Sequence, residues 1–142
     1  MSSTRTRRTL AEIPVSEAMH PGTLTCPPET PLRTVARMMA TYRVHCVFVL
    51  ADAEEADSER VLWRVVSDRD LARAASDDLD ERSAGGTAAT PLVSVSPGET
   101  LKRAAQLIAE SETSHLVVVD PVSARPIGVL STLDVACAIA EA

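Results

Sequence analysis

Apolar positions along this chain follow two different spacings, and the spacings predict its elements. Leu32, Val35, Ala36, Met38, Met39 and Tyr42 recur at the interval of one helix face, and Leu101, Ala104, Ala105, Leu107 and Ile108 repeat the pattern further on. The apolar, β-branched run at 44–50 predicts a buried strand, and further strands are expected at 61–66, 116–119 and 127–130. Shorter strands are expected at 23–26 and 92–95, the first closed by Pro27 and Pro28, because proline cannot continue a ladder. Thr30 and Pro31 suit the cap and first turn of the first long helix. Helices at 68–76 and 132–140 are expected to close the two halves. The acidic stretch 52–59 reads as a solvated hairpin loop, Asp120 and Pro121 start a short turn, and 77–86, with Gly85 and Gly86, reads as a linker.

The halves are copies of one another. Leu32 and Leu101, Ala36 and Ala105, Ala40 and Ala109, Val49 and Val118, and Pro28 and Pro97 are each separated by 69 positions. Ser67 and Asp70 are echoed by Ser131 and Asp134 at an offset of 64, so the first copy carries a five-residue insertion between these blocks. Each copy reads as β-α-β-β-α. Its first two strands must run parallel because a helix joins them, and its last two antiparallel because a turn does. The expected fold is therefore α/β (α+β), two such units packed about a pseudo-twofold axis. The expected boundaries are a tail at 1–14, one copy at 15–77, a linker at 78–86 and the second copy at 87–142.

Length fits a single domain shared by both copies, since each alone would be marginal at 142 residues in total. Charge and composition then exclude several functions. A net charge of −6 opposes nucleic-acid binding by bulk electrostatics, and one Trp, one Tyr and one Phe leave no stacking platform for single strands. The basic cluster Arg5, Arg7 and Arg8 reads as a solvated tail. No apolar run reaches signal-peptide or membrane-spanning length. Cys26, Cys46 and Cys137 are odd in number and sit in apolar stretches, which predicts buried thiols and a cytoplasmic setting.

The sharpest local signal runs from Gly128 to Asp134, a strand ending in Ser-x-x-Asp as a helix begins. One reading is a capping box in its Asp form, satisfying orphan N–H groups. The other uses the same atoms for a ligand: a helix N-terminus offers donors to an anion, and the carboxylate accepts both hydroxyls of a ribose. Recurrence of Ser67 and Asp70 at the equivalent place favours the second.

Order, spacing and duplication together resemble a tandem pair of cystathionine-β-synthase (CBS) domains, the Bateman module, in its stand-alone bacterial form. The resemblance covers residues 15–142 and rests on Met19, Leu24, Pro28, Leu32, Ala36, Met39 and Val44 in the first copy. In the second it rests on residues 97–101, 115–120 and 128–134. It implies a regulatory module with two clefts for adenosine-containing ligands: AMP, ADP, ATP or S-adenosylmethionine. Carried over by position, the first cleft uses Ser131 and Asp134 with Val129 beneath, and Met19, Leu24, Val44 and His45 as the adenine wall. His115 lies where some family members aim a basic residue at a phosphate; as a partly buried strand histidine it has an equal explanation. The second cleft uses Ser67 and Asp70, with Arg69 as a cation, and Ala88, Val93, Thr113 and Ser114 opposite. The chain departs from the family pattern at Arg64, which takes the slot of Gly128, and at Phe48 and Val117, which replace a frequent proline.

Enzyme readings fail on geometry. His45 and Cys46 are strand neighbours and point to opposite faces, so they form no nucleophile–base pair. His20, His45 and His115 show no metal-ligand spacing with the cysteines and read as core histidines. The apolar face Val135, Ala138 and Ile139 suggests a homodimer surface. Two rival functions stay open: a scaffold with empty clefts that contacts an effector protein, and a nucleic-acid binder acting through the N-terminal arginines.

Overall fold

A computed structural model describes residues 8–50, 63–91 and 93–141. Arg5, Arg7, the acidic loop at 52–59, the start of the strand expected at 61–66, and Leu92 lie outside the described residues. Along the chain a 3-10 turn, Leu10–Glu12, precedes α1 (Val15–Ala18), β1 (His20–Pro21), β2 (Thr25–Cys26), α2 (Leu32–Tyr42) and β3 (Cys46–Leu50). There follow β4 (Trp63–Ser67), α3 (Asp68–Arg73), α4 (Ala84–Thr87) and β5 (Ser94–Val95). The chain ends with α5 (Leu101–Glu110), β6 (His115–Val119), β7 (Pro126–Ser131) and α6 (Thr132–Glu141). This is the expected mixed α/β architecture. No described helix is long and apolar enough to cross a membrane.

The elements gather into two compact units whose membership cuts across the sequence copies. The first unit combines Met1–Gly22 with Val93–Ala142, and the second is Thr23–Leu92. In the first, the sheet order is β1-β7-β6-β5, with β5 parallel to β6 and the other pairs antiparallel. Helix α5 turns Leu101, Ala104 and Ile108 inward, where they meet Val95, Leu116, Val118 and Leu130. Ile13 and Val15 complete that core, and Leu10 packs against it. Two backbone bonds, from the Val15 N–H to the Glu99 carbonyl and from the Leu101 N–H to the Ile13 carbonyl, both 2.8 Å, fix the N-terminal segment there.

In the second unit the sheet order is β2-β3-β4, again parallel then antiparallel as the connections require. Leu32, Val35 and Met39 of α2 pack on Cys26, Val47, Val49 and Val66. The 69-residue spacing holds in three dimensions: Arg43 and Glu112, the same distance apart, both take left-handed backbone at φ 54° and 52° after the long helices.

Several expectations are corrected. Pro31, not Thr30, is the N-cap of α2, because the Thr30 carbonyl is taken by the Ala84 N–H at 2.7 Å and no side chain caps the helix. The strand expected from residue 44 starts at Cys46, since the Val44 N–H still closes the helix end on the Met39 carbonyl. Helix α3 stops at Arg73, short of residue 76. The stretch read as a linker is structured: Ser83 caps α4, Ala84 is buried in the core, and the Gly85 N–H bonds the Pro28 carbonyl at 2.7 Å. Cys26 and Cys46 are buried as expected, but Cys137 is exposed on α6. On that helix Val135 and Ala138 pack against the core, so the apolar face left to solvent is Leu133 and Ile139, flanked by Ala136, Cys137 and Ala140.

Candidate functional site

The Ser-x-x-Asp motif sits where β7 runs directly into α6. The Ser131 N–H donates to Asp134 Oδ2 at 2.8 Å, and the Asp134 N–H donates to Ser131 Oγ at 3.2 Å. This is a reciprocal capping box, so the structural reading of the motif holds. Both residues are buried, Ser131 to 2% and Asp134 to 7% exposure, and they are the buried polar side chains among the described residues. The Thr132 N–H bonds the Ser114 carbonyl at 2.9 Å, tying the helix start to the entry of β6.

A carboxylate has more acceptor capacity than the cap consumes. Asp134 Oδ1 lies 3.0 Å from His20 Nδ1, and Oδ2 lies 3.2 Å from the same nitrogen. His20 arrives because β1 pairs with β7, setting His20 opposite Val129 and Pro21 opposite Gly128. Glycine is required at 128: a Cβ there would stand 2.5 Å from the His20 carbonyl and 3.0 Å from Met19 Sδ. The first unit thus gathers Met19, His20, Val129, Ser131 and Asp134, and His115 is paired with Ser131 across β6 and β7.

The equivalent motif in the second unit is also a capping box. The Ser67 N–H donates to Asp70 Oδ2 at 2.8 Å, and the Asp70 N–H donates to Ser67 Oγ at 3.1 Å. Its surroundings differ. Asp70 is 25% exposed with Arg73 at 3.9 Å, and the place of His20 is taken by Ala89, which bridges Val65. Ala88 packs beside the core of this unit. Arg64, in the glycine slot, donates to the Gly85 carbonyl at 3.2 Å. Where Gly128 allows a two-residue pairing of β1, the second unit has, among the described residues, the single Val65–Ala89 bridge at this place.

The remaining expected residues fall as follows. Leu24, Val44 and His45 belong to the second unit, and Val93, Thr113 and Ser114 to the first. Leu24 and Val44 pack beside the second core, and Val93 beside the first. Thr113 Oγ1 donates to the His115 carbonyl at 3.0 Å, and Ser114 Oγ lies 3.4 Å from His115 Nδ1. His45 Nδ1 meets Asp68 Oδ2 at 3.0 Å, while the N–H of exposed Arg69 bonds Asp68 Oδ1 at 2.8 Å. His20 and His45 are not core residues, with side chains 64% and 42% exposed, and His115 is half-buried on its strand. Sequence reasoning missed His20 because its partner Asp134 lies 114 positions away along the chain. The signal present was the mismatch of His20 with Ala89 at the repeat offset.

Burial, with the Asp68 charge as a lesser cause, pushes the Cys46 thiol up to about 12, so it is no thiolate near neutrality. Among the described residues, no cluster of three His, Cys, Asp or Glu is placed to hold a metal. Arg8, read as part of a solvated cationic arm, is paired with Glu17 through both guanidinium nitrogens. Each partner stabilises the other's charge, raising the Arg8 pKa and lowering that of Glu17.

No curated protein matches the chain, but solved structures do. A CBS domain protein from Pyrobaculum aerophilum, solved in complex with AMP, is 28% identical, with a TM-score of 0.69 and coverage of 92% of this chain and 100% of that one. A protein described only as an uncharacterized conserved protein from Pyrococcus horikoshii is 17% identical, with a TM-score of 0.75 over 91% of this chain and 93% of that one. A hexameric CBS-CP12 protein from bloom-forming cyanobacteria is 18% identical with a TM-score of 0.72; the match covers 87% of this chain but spans only 66% of that longer one. The CBS domain model matches at residues 15–77 and again at 87–141. With its repeated strand–helix motif and two matched segments, the chain belongs to the CBS domain family and carries the domain twice.

Proposed function

We propose that this chain is a regulatory module that binds an adenosine-containing nucleotide (AMP, ADP, ATP or S-adenosylmethionine) with Asp134 as the acceptor for the ribose hydroxyls. The observation that carries this reading is the Asp134 carboxylate itself. Its capping duty occupies Oδ2, while Oδ1 is directed away from the cap to an exposed side chain. The positive end of the α6 dipole lies beside it and favours an anionic ligand. The AMP complex of the P. aerophilum relative supports the ligand class. Met19 and Val129 border the motif and offer apolar surface, which suits a chain with so few aromatic residues.

The Ser67–Asp70 motif ranks behind it, because Arg64 replaces the glycine that admits close backbone approach. Base contacts from Leu24, Val44 and His45, a phosphate contact from His115 or Arg69, and second-site roles for Ala88, Val93, Thr113 and Ser114 belong to the same proposal. So do cytoplasmic residence, an effector protein that reads the bound state, and a homodimer formed through α6. Ligand binding regulates only by its different affinity for two conformations.

A thermal-shift panel tests the reading. AMP, ADP, ATP, S-adenosylmethionine, NAD and cyclic dinucleotides are added to wild type and Asp134→Ala, each compared with its own ligand-free baseline, because losing the capping box lowers that baseline. A ligand at 100 times its dissociation constant stabilises by about 2.7 kcal/mol, several degrees for a chain of this size. A shift in wild type that vanishes in Asp134→Ala supports the proposal. Absence of a shift with every adenosine compound refutes it and favours the scaffold reading.

A further inference from the structure

His20 is the feature that the capping box does not explain. A carboxylate only accepts hydrogen bonds, so the 3.0 and 3.2 Å approaches to Asp134 place a proton on Nδ1. That nitrogen sits over both carboxylate oxygens, the pair of acceptors that a cis-diol needs. Asp134 itself is 7% exposed, whereas the His20 ring is 64% exposed, so a solvated side chain covers a buried acceptor. In the other copy Ala89 occupies the corresponding place, and the 25% exposed Asp70 has the guanidinium of Arg73, from its own helix, at 3.9 Å. The capping box does not use the contact, since each Ser-x-x-Asp box closes on its own backbone N–H groups, with or without a histidine.

We propose that His20 is an internal competitor for the sugar diol: it holds the Asp134 carboxylate in the free protein and must be displaced when a ribose binds. This deepens the nucleotide reading above and rests on it. His20 is thereby a specificity-determining residue. It sets a threshold that a ligand with both ribose hydroxyls can meet, because two new donors replace the one lost. A dideoxy ligand has no such donors and leaves the imidazole in place.

The test combines a ligand-free and a ligand-bound measurement on the full chain. Nitrogen-15 NMR of the histidine rings is expected to show Nδ1 of His20 as the protonated donor, a signature lost in Asp134→Asn. Calorimetric titrations with AMP and with 2′,3′-dideoxy-AMP then compare wild type, His20→Ala and His20→Asn. A single hydrogen bond from a solvated ring is modest in energy, so His20→Ala is expected to tighten AMP about two- to fivefold. The dideoxy compound is expected to show no change. His20→Asn, whose amide nitrogen stands near the position of Nδ1, is expected to restore wild-type affinity. Weaker AMP binding in His20→Ala, or equal gains for both ligands, overturns the competitor role while the nucleotide reading stands. AMP affinity indifferent to Asp134→Ala overturns the nucleotide reading at this motif, and the competitor role with it.

Discussion

At the scale of single residues, Gly128 and Arg64 show how one position divides two copies of the same unit. The Gly128→Ala variant places a methyl group 2.5 Å from the His20 carbonyl, and a backbone atom cannot yield as a flexible side chain can. Overpacking of this kind costs about 1–3 kcal/mol. The melting temperature of Gly128→Ala is therefore expected to fall by several degrees, with weakened pairing of β1 on β7 visible as faster amide exchange at His20 and Val129. An unchanged melting point contradicts the close approach. The thiols provide a second residue-level prediction. In the native protein one thiol, Cys137, is expected to react quickly with a disulfide reagent, and Cys26 and Cys46 only on unfolding. Cys46 also links stability to pH. Its folded value of about 12 lies above the ordinary thiol value of 9.0, so the unfolded state loses its proton first. Stability from this group is complete below pH 9.0 and falls as pH rises toward about 12, which a pH series of chemical denaturation reads directly. The Cys46→Ser variant is expected to lose that alkaline slope. Of the site, Ser131 and Asp134 were legible in the sequence because they recur as Ser67 and Asp70. His20 was not, because its partner is 114 positions away and only the pairing of β1 with β7 brings them together.

At the scale of elements, the hydrophobic spacing identified every long helix and the buried strands, since each buries one continuous apolar face or run. What it missed were short elements whose existence depends on distant partners. Helix α4 has four residues, two of them glycine, and forms because the Thr30 and Pro28 carbonyls receive the Ala84 and Gly85 N–H groups. No local pattern announces that. The terminal helix shows the opposite error. Val135, Ala138 and Ile139 look like one surface in sequence, yet β7 and α5 claim the first two positions for the core side and leave Leu133 and Ile139, 62% and 58% exposed, on the other. If α6 forms the homodimer contact, Ile139→Asp is expected to halve the mass seen by light scattering while leaving the melting cooperative, because Ile139 contributes little to the core. A mass unaffected by the substitution contradicts a dimer through this helix.

At the scale of the whole molecule, sequence copy and spatial unit are different things. The unit that contains Ser131 and Asp134 draws Ile13, Val15, Met19 and His20 from the other end of the chain. Residues 87–142 in isolation therefore lack the buried Ile13 and Val15, 5% and 0% exposed, and the edge strand β1. Such a fragment is expected to show no cooperative melt by circular dichroism. A melt resembling that of the full chain contradicts the shared construction of this unit. The same construction explains how a chain-distant histidine comes to rest on the Asp134 carboxylate, and it makes that carboxylate the point at which the functional account stands or falls. Calorimetric titration of AMP into wild type and Asp134→Ala tests it most directly. The account predicts saturable binding in wild type that is lost in Asp134→Ala while the variant remains folded; equal binding in both, or none in wild type, contradicts it.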